Sequence, residues 1–145
     1  MRLTLTLRNS MGALGEAQAR LAEWLETAAV PSRQGHRIEL VFEELAANIV
    51  MHGYPDVPED SREFRAEIEL APPGARLALE DDGVAFDPRE VEGKRLDEVE
   101  GEPQIGGLGL LLVRRFASTI AYRRTPAGRN HLEVAIRLED APAAS

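Results

Sequence analysis

Hydrophobic and polar residues alternate at the start of the chain and then recur at helical spacing. Leucine and threonine alternate over residues 3–7, which predicts a half-buried strand. Ser10 can cap a helix that runs to about Val30, since apolar residues follow it at every third or fourth position. Pro31 breaks the chain, and a second helix then runs to residues 52–55, where glycine and proline are placed as stop signals. The residues that this helix turns inward are Ile38, Val41, Phe42, Leu45 and Ile49.

The second half of the chain predicts further strands around one long polar segment. Alternation over residues 64–70 and 77–79 indicates two strands joined by a Pro-Pro-Gly turn. The segment 87–105 is charged and largely aperiodic, and loops of this length are usually lids, binding loops or disordered. A helix over about 109–117 comes next. Two closing strands are centred on residues 120–122 and 132–138.

This order, β-α-α-β-β-lid-α-β-β, predicts a two-layer α/β sandwich. Its sheet would be mixed but mostly antiparallel, with helices on one face and a polar surface on the other. The 145 residues correspond to one domain, which we place at residues 1–140, followed by a disordered tail at 141–145. A hydrophobic fraction of 43% is normal for a globular core.

The composition narrows the possible function classes. A net charge of -8 argues against nucleic acid and against an anionic membrane as partners, because both require a basic surface. The sequence has no cysteine, which excludes disulfides, thiolate zinc sites and a thiol nucleophile. No apolar run approaches the roughly 18 residues of a membrane span, and the N-terminus does not have the pattern of a signal peptide. We therefore expect a cytoplasmic protein.

Glu44 and Asn48 are the first candidate site residues. They lie four positions apart on the second predicted helix and therefore stack on one face, at the rim of the core. The amide oxygen is a suitable ligand for Mg²⁺, and the carboxylate can accept a proton from an attacking hydroxyl. A solvated helix face would have the same spacing, so the pair alone does not decide the function.

Two glycine-containing segments add further candidates. Asp81 ends a predicted strand and can accept a hydrogen bond from an exocyclic amine such as that of adenine, while Gly83 lets a ring approach the backbone. An ordinary Asp-Gly turn is the alternative. Gly106, Gly107 and Gly109 precede an apolar helix, whose free amides and dipole suit a phosphate. A flexible hinge at the start of a helix is the alternative there.

Taken together and in this order, the segments resemble the GHKL superfamily of ATPases and kinases. Its Glu-x-x-x-Asn, Asp-x-Gly-x-Gly and Gly-x-Gly boxes build one ATP site. Four segments are similar to the bacterial anti-sigma-factor serine kinases, namely 43–54, 81–88, 106–115 and 128–134. The resemblance covers nearly the whole chain. The sequence departs from the pattern at Ala85, which replaces the second glycine of the middle box. If the backbone there needs a positive φ or close contact with the nucleotide, alanine weakens nucleotide binding.

The resemblance implies a role for each candidate residue. Asn48 would bind Mg²⁺, and Glu44 would be the base that deprotonates a serine hydroxyl of a partner. Asp81 would hold the adenine of ATP or ADP, with Gly83 beside it. The remaining nucleotide contacts would come from Gly107, Leu108 and Gly109, under a lid formed by residues 88–105.

The same resemblance implies an ATP-dependent serine/threonine protein kinase that is also an anti-sigma factor. It would phosphorylate a STAS-type anti-sigma-factor antagonist, hold a sigma factor inactive, and form a homodimer as such family members commonly do. The alternative is a nucleotide-binding partner-switch module without kinase activity, which Ala85 and the charged lid motivate. A detached histidine-kinase catalytic domain is a weaker alternative, because it requires a phosphoacceptor helical hairpin. A gyrase- or chaperone-type ATPase would require additional domains.

Overall fold

The computed structural model describes residues 1–87 and 113–138, and its elements follow the predicted order. They are β1 (Arg2–Arg8), α1 (Met11–Thr27), α2 (Ser32–Asn48), a π-helical turn (Ile49–Gly53), β2 (Glu63–Ala71), β3 (Gly74–Asp81), β4 (Ala117–Arg124) and β5 (Asn130–Arg137). A short helical turn at 113–116 leads into β4. Three predicted features lie outside the described residues: the lid at 88–105, the beginning of the helix at 109–112 and the tail at 141–145.

The first helix begins where its sequence satisfies a free backbone amide. Ser10 Oγ accepts a hydrogen bond from the backbone N–H of Ala13 at 3.1 Å, so the predicted cap is confirmed. The helix ends at Thr27, slightly before the predicted end, because Ala29 adopts a left-handed φ of 58° that does not continue a helix. The buried stripe of this helix consists of Leu14, Ala17, Leu21 and Leu25.

The second helix carries its apolar face into the core and its last turn to the candidate site. Of the residues predicted to face inward, all are buried except Ile49, which is half-buried. Beyond Asn48 the chain does not leave the helix but makes the π-helical turn Ile49–Gly53. The hydrophobic pattern did not predict this turn, because widening one helical turn leaves the apolar spacing almost unchanged. Single π turns occur frequently at functional sites.

The sheet has the strand order β1-β2-β3-β5-β4, and each of its pairings is antiparallel. The two-layer α/β fold is thus confirmed, whereas the mixed sheet is not found: within residues 1–87 and 113–138 no strand pairs in parallel. Connectivity explains the difference. The second and third strands form one hairpin and the fourth and fifth form another, and strands joined by hairpins pair antiparallel.

Strand register determines which side chains meet at the edge of the sheet. The pairing of β3 with β5 places Asp81 opposite Asn130. The helices cover the apolar face, so the last turn of α2 meets the ends of these two strands. The opposite face is charged, as predicted, with exposed pairs such as Arg76 and Glu133 at 3.7 Å. None of the helices in the described part of the chain is long and apolar enough to cross a membrane.

Candidate nucleotide site

The last turn of α2 directs an amide toward a cavity, with a carboxylate one turn earlier. Asn48 is 6% exposed and lines the cavity, and its Nδ2 has no hydrogen-bond partner among the described residues. Glu44 is half-buried and precedes it by four positions on the same helix face. Burial raises the pKa of Glu44, and the negative charge of Glu43 raises it further. This shift makes the carboxylate a stronger proton acceptor near neutral pH.

Asp81 lies on the other side of the cavity, at the end of β3. It is 5% exposed, and Oδ1 accepts two hydrogen bonds, from the N–H of Gly83 and from Nδ2 of Asn130, each at 2.9 Å. No residue in the described part of the chain donates to Oδ2, and Asp81 lines the cavity. Burial raises the pKa of Asp81, while the hydrogen bonds from Asn130 and Gly83 oppose that rise.

Asn130, at the start of β5, holds both Asp81 and the loop that follows it. Its Nδ2 donates to Oδ1 of Asp81 and, at 2.7 Å, to the carbonyl oxygen of Val84. Its Oδ1 accepts from the hydroxyl of Tyr122 and, at 3.1 Å, from Nη1 of Arg124. Because Asn130 is 5% exposed and both ends of its amide are engaged, these partners determine which way the amide points.

Gly83 is required at its position by a close backbone approach. A Cβ atom on Gly83 would lie 2.2 Å from the carbonyl oxygen of Gly53, at the end of the π-helical turn. The same carbonyl accepts a hydrogen bond from the N–H of Val84 at 2.9 Å. The glycine predicted to lie beside a base therefore also makes room for the neighbouring turn.

Ala85, where the sequence departs from the family pattern, has an ordinary backbone conformation. Among the described residues, the non-glycine positions with a positive φ are Ala29, Asp56 and Asp60. Because Ala85 is not one of them, it does not need the conformational freedom of glycine. The condition under which alanine would weaken binding through backbone strain is thus not met.

The cavity lies between α2 and the ends of the third, fourth and fifth strands. Its walls are mostly apolar, as is common for small-molecule sites. Phe86 forms part of the wall. His52 stacks on Phe86 with 6.5 Å between ring centroids, so this histidine supports the cavity wall. The polar residues in the lining are Asn48, Asp81, Tyr122 and Asn130.

The residues of the site fit a magnesium ion that is carried by phosphates. Residues 1–87 and 113–138 contain no cluster of His, Cys, Asp and Glu suited to hold a metal on its own. Mg²⁺ usually takes only one or two protein ligands and completes its coordination with phosphate oxygens and water. A buried amide without a partner suits such a role, because a half-turn of the Asn48 amide presents Oδ1 in place of Nδ2.

The structure brings some of the predicted residues together and does not describe others. Asn48 and Asp81 line one cavity, and Gly83 lies in the loop beside it. Glu44 lies one helical turn away and does not line the cavity itself. The predicted phosphate contacts Gly107, Leu108 and Gly109 lie outside the described residues, so they stay predictions.

Sequence reasoning missed the residues that support Asp81. The sequence pattern includes Asn130 only in a closing hairpin and Tyr122 only in a strand, and it indicates no role for Arg124. Their joint role depends on the register between β3, β4 and β5, which no local pattern specifies. The available signal was modest: an asparagine that begins a strand of otherwise alternating residues is a candidate for a buried polar contact.

The family of histidine kinase-like ATPase domains matches residues 7–136. The chain belongs to this family. The serine/threonine-protein kinase BtrW of Bordetella bronchiseptica is 32% identical over 118 residues, which are 75% of this chain and 78% of BtrW. These matches confirm the resemblance to GHKL kinases of the anti-sigma-factor type. The chain is accordingly a kinase-type ATPase domain, and such a domain binds a nucleotide.

Two solved structures share the fold. One chain in the SiaB–SiaC complex from Pseudomonas aeruginosa has a TM-score of 0.61 at 16% identity, covering 92% of this chain and 88% of that chain. The RsbU and RsbW domains of Rv1364c from Mycobacterium tuberculosis give a TM-score of 0.60 at 20% identity, covering 94% of this chain and 32% of that longer chain. At these identities, the likeness shows the fold alone.

Proposed function

We propose that the chain is an ATP-dependent serine/threonine protein kinase that acts on a STAS-type anti-sigma-factor antagonist. One observation carries the proposal. A single cavity is lined by Asp81, whose Oδ1 accepts both hydrogen bonds from the protein, and by Asn48, whose Nδ2 has no partner among the described residues, with Glu44 one turn away. An acceptor for a base, a ligand for a phosphate-bound ion and a proton acceptor thus follow one another across the site.

The chain's own groups then have distinct tasks in the transfer. Asp81 orients the adenine through Oδ2 because Oδ1 is already saturated. Glu44 takes the proton of the partner's hydroxyl as that oxygen bonds to the γ-phosphorus and the bond to the bridging oxygen of ADP breaks. Mg²⁺, held in part by Asn48, would neutralise phosphate charge during this step. The result is ADP, a phosphorylated partner and a protonated Glu44.

The named relative supports the choice of reaction, because BtrW is by name a serine/threonine-protein kinase. The STAS-type partner rests on the family resemblance. We extend the proposal to binding of a sigma factor, homodimer formation and a cytoplasmic location, which rest on the family resemblance. Sedimentation of the purified chain with and without ADP measures the dimer directly.

A pair of neighbouring glutamates provides the test of kinase activity. Glu44→Gln should lower the rate of phosphoryl transfer from Mg-ATP to a purified STAS-domain protein by about 100-fold to 10,000-fold, with the affinity for ADP unchanged. Glu43→Gln is the matched control, because Glu43 is exposed on the same helix turn and is assigned no proton transfer. Transfer that survives Glu44→Gln would contradict the role of this residue. ADP binding without any transfer by the wild-type chain would favour the nucleotide-binding module instead.

A further inference from the structure

A buried tyrosine lies where the π-helical turn meets the loop after β3, and the proposed transfer step does not use it. Tyr54 directly follows the π-helical turn and is 9% exposed. Its hydroxyl donates a hydrogen bond to Oδ1 of Asp82 at 2.9 Å. Burial, and then the hydrogen bond to Asp82, raise the pKa of Tyr54, so the hydroxyl keeps its proton throughout the physiological range.

Two backbone contacts accompany this hydrogen bond. The carbonyl of Gly53 accepts from the N–H of Val84 at 2.9 Å, and Gly83 packs against the same carbonyl so closely that a side chain would not fit. With the stack of His52 on Phe86, four contacts therefore join the π-helical turn and Tyr54 to the loop after β3. Asp81 lies immediately before the loop that follows β3, and Asn48 lies immediately before the π-helical turn. The junction thus links the two sides of the cavity.

The hydroxyl of Tyr54 is one of two side-chain contributions to this junction, and the stack of His52 on Phe86 is the other. A π-helical turn has a wider geometry than the α-helix and is found mostly as a single turn, so contacts from outside help to determine its orientation. A hydrogen bond to a carboxylate is stronger and more directional than one between neutral groups. The pair also involves Arg62, whose Nη1 lies 3.8 Å from Oδ2 of Asp82.

We propose that Tyr54 is a positioning residue that couples the loop after Asp81 to the end of α2 at Asn48. Its hydrogen bond to Asp82 holds the π-helical turn in one orientation relative to Asp81. This orientation determines where Asn48 and Glu44 stand with respect to a bound nucleotide. The kinetic consequence rests on the proposed function, whereas the junction itself is present in the nucleotide-free chain.

The variant Tyr54→Phe tests the inference because it removes the hydroxyl and keeps the ring. In the full chain without nucleotide, amide exchange over residues 49–54 should become about tenfold faster, and exchange in α1 should not change. In transfer assays with Mg-ATP and a STAS-domain protein, kcat should fall about tenfold while Kd for ADP changes by less than about threefold. A merely structural role would instead speed exchange in α1 as well and weaken ADP binding together with kcat.

Three further variants separate the hydrogen bond from other effects. Asp82→Asn keeps an oxygen acceptor for Tyr54 but removes its charge, so the exchange rate should lie between those of wild type and Tyr54→Phe. Asp82→Ala removes the acceptor and should match Tyr54→Phe, and the double variant should add nothing further. Arg62→Gln removes the ion-pair partner and leaves the hydroxyl in place, so exchange over residues 49–54 should stay at the wild-type rate.

Unchanged exchange over residues 49–54 in Tyr54→Phe would overturn the inference, and so would full additivity in the double variant. An equal loss of kcat and ADP affinity would overturn the positioning role. A wild-type chain that binds ADP but transfers no phosphoryl group would contradict the proposed function alone. The exchange experiment needs no nucleotide and therefore still decides whether Tyr54 holds the turn.

Discussion

Replacing Asp81 by asparagine should abolish tight nucleotide binding without unfolding the chain. The reason lies in how the two carboxylate oxygens are used. Both hydrogen bonds from the protein arrive at Oδ1, from Gly83 and Asn130. An asparagine oxygen can accept both of them, so the local network survives. Its NH₂ group then takes the place of Oδ2 and presents a donor where the exocyclic amine of adenine also presents a donor.

The expected loss of affinity follows from two contributions. Removing a hydrogen bond to a charged acceptor is worth about 1.5–3 kcal/mol, and leaving two donors face to face adds about 1 kcal/mol or more. A total of roughly 3 kcal/mol corresponds to about a 100-fold weaker Kd for ADP. The loss should not depend on Mg²⁺, because the base and not the phosphate is affected.

Asp81→Asn should not lower the free energy of unfolding at neutral pH, although it lowers the affinity for ADP. Since burial raises the pKa of Asp81 above 3.8, the folded chain binds this proton more readily than the unfolded chain. The contribution of this group to the free energy of unfolding is therefore greatest below about pH 3.8 and is lost as the pH rises through the raised value. Asparagine has no such loss, so Asp81→Asn should be at least as stable as wild type at neutral pH.

Calorimetric titration with ADP and urea unfolding of the same preparations measure both quantities. Glu80→Gln is the matched control, because it removes a carboxylate from the neighbouring position of β3, where the side chain points to the charged face and pairs with Arg129. The control should bind ADP like wild type. If Asp81→Asn bound ADP with wild-type affinity, Asp81 would not recognise the base. If Asp81→Asn unfolded, the hydrogen bonds at Oδ1 would require the negative charge of the carboxylate.

Gly83→Ala should destabilise the chain by about 2 kcal/mol in urea unfolding, because the new Cβ would lie 2.2 Å from a backbone carbonyl oxygen. The control Gly15→Ala, which meets nothing within 4 Å, should be neutral or stabilising, and equal effects would contradict the packing argument. Ala85→Gly should change Kd for ADP by less than about threefold, since no positive φ is needed there; a large gain in affinity would show that alanine obstructs the site. Glu43→Gln should lower the pH below which the transfer rate falls, because Glu43 raises the pKa of Glu44. If that pH did not change, Glu44 would not be the group whose protonation stops the transfer.

The order of elements could be predicted from sequence because each element carries its own local signal. The alternation in β2 and the cap of Ser10 are properties of a few neighbouring residues, and the structure confirms both. The π-helical turn after Asn48 could not be predicted in this way. It is stabilised by contacts with a loop thirty positions further along the chain, so the local pattern contains no trace of it.

The same distinction between local and long-range signals applies to the residues of the candidate site. Asn48 and Asp81 belong to short motifs, and their shared cavity could be inferred from the family resemblance. The three residues that fix Asp81 from the closing hairpin could not, because a one-residue change in strand register would turn Asn130 away from it. Sequence therefore identifies the groups that touch a ligand more readily than the groups that hold them in place.

Under the proposed function, the position of Glu44 is the feature that favours a kinase over a binding module. A residue that only helped to bind nucleotide would be expected in the cavity lining, as Asn48 and Asp81 are. Glu44 instead lies one turn outside it and is half-buried, and no described residue neutralises its charge. Burial at this position disfavours the ionised form of the carboxylate. A protein that only binds nucleotide gains nothing from that. A kinase gains from it, because the raised pKa makes Glu44 a stronger proton acceptor for the hydroxyl of a second protein.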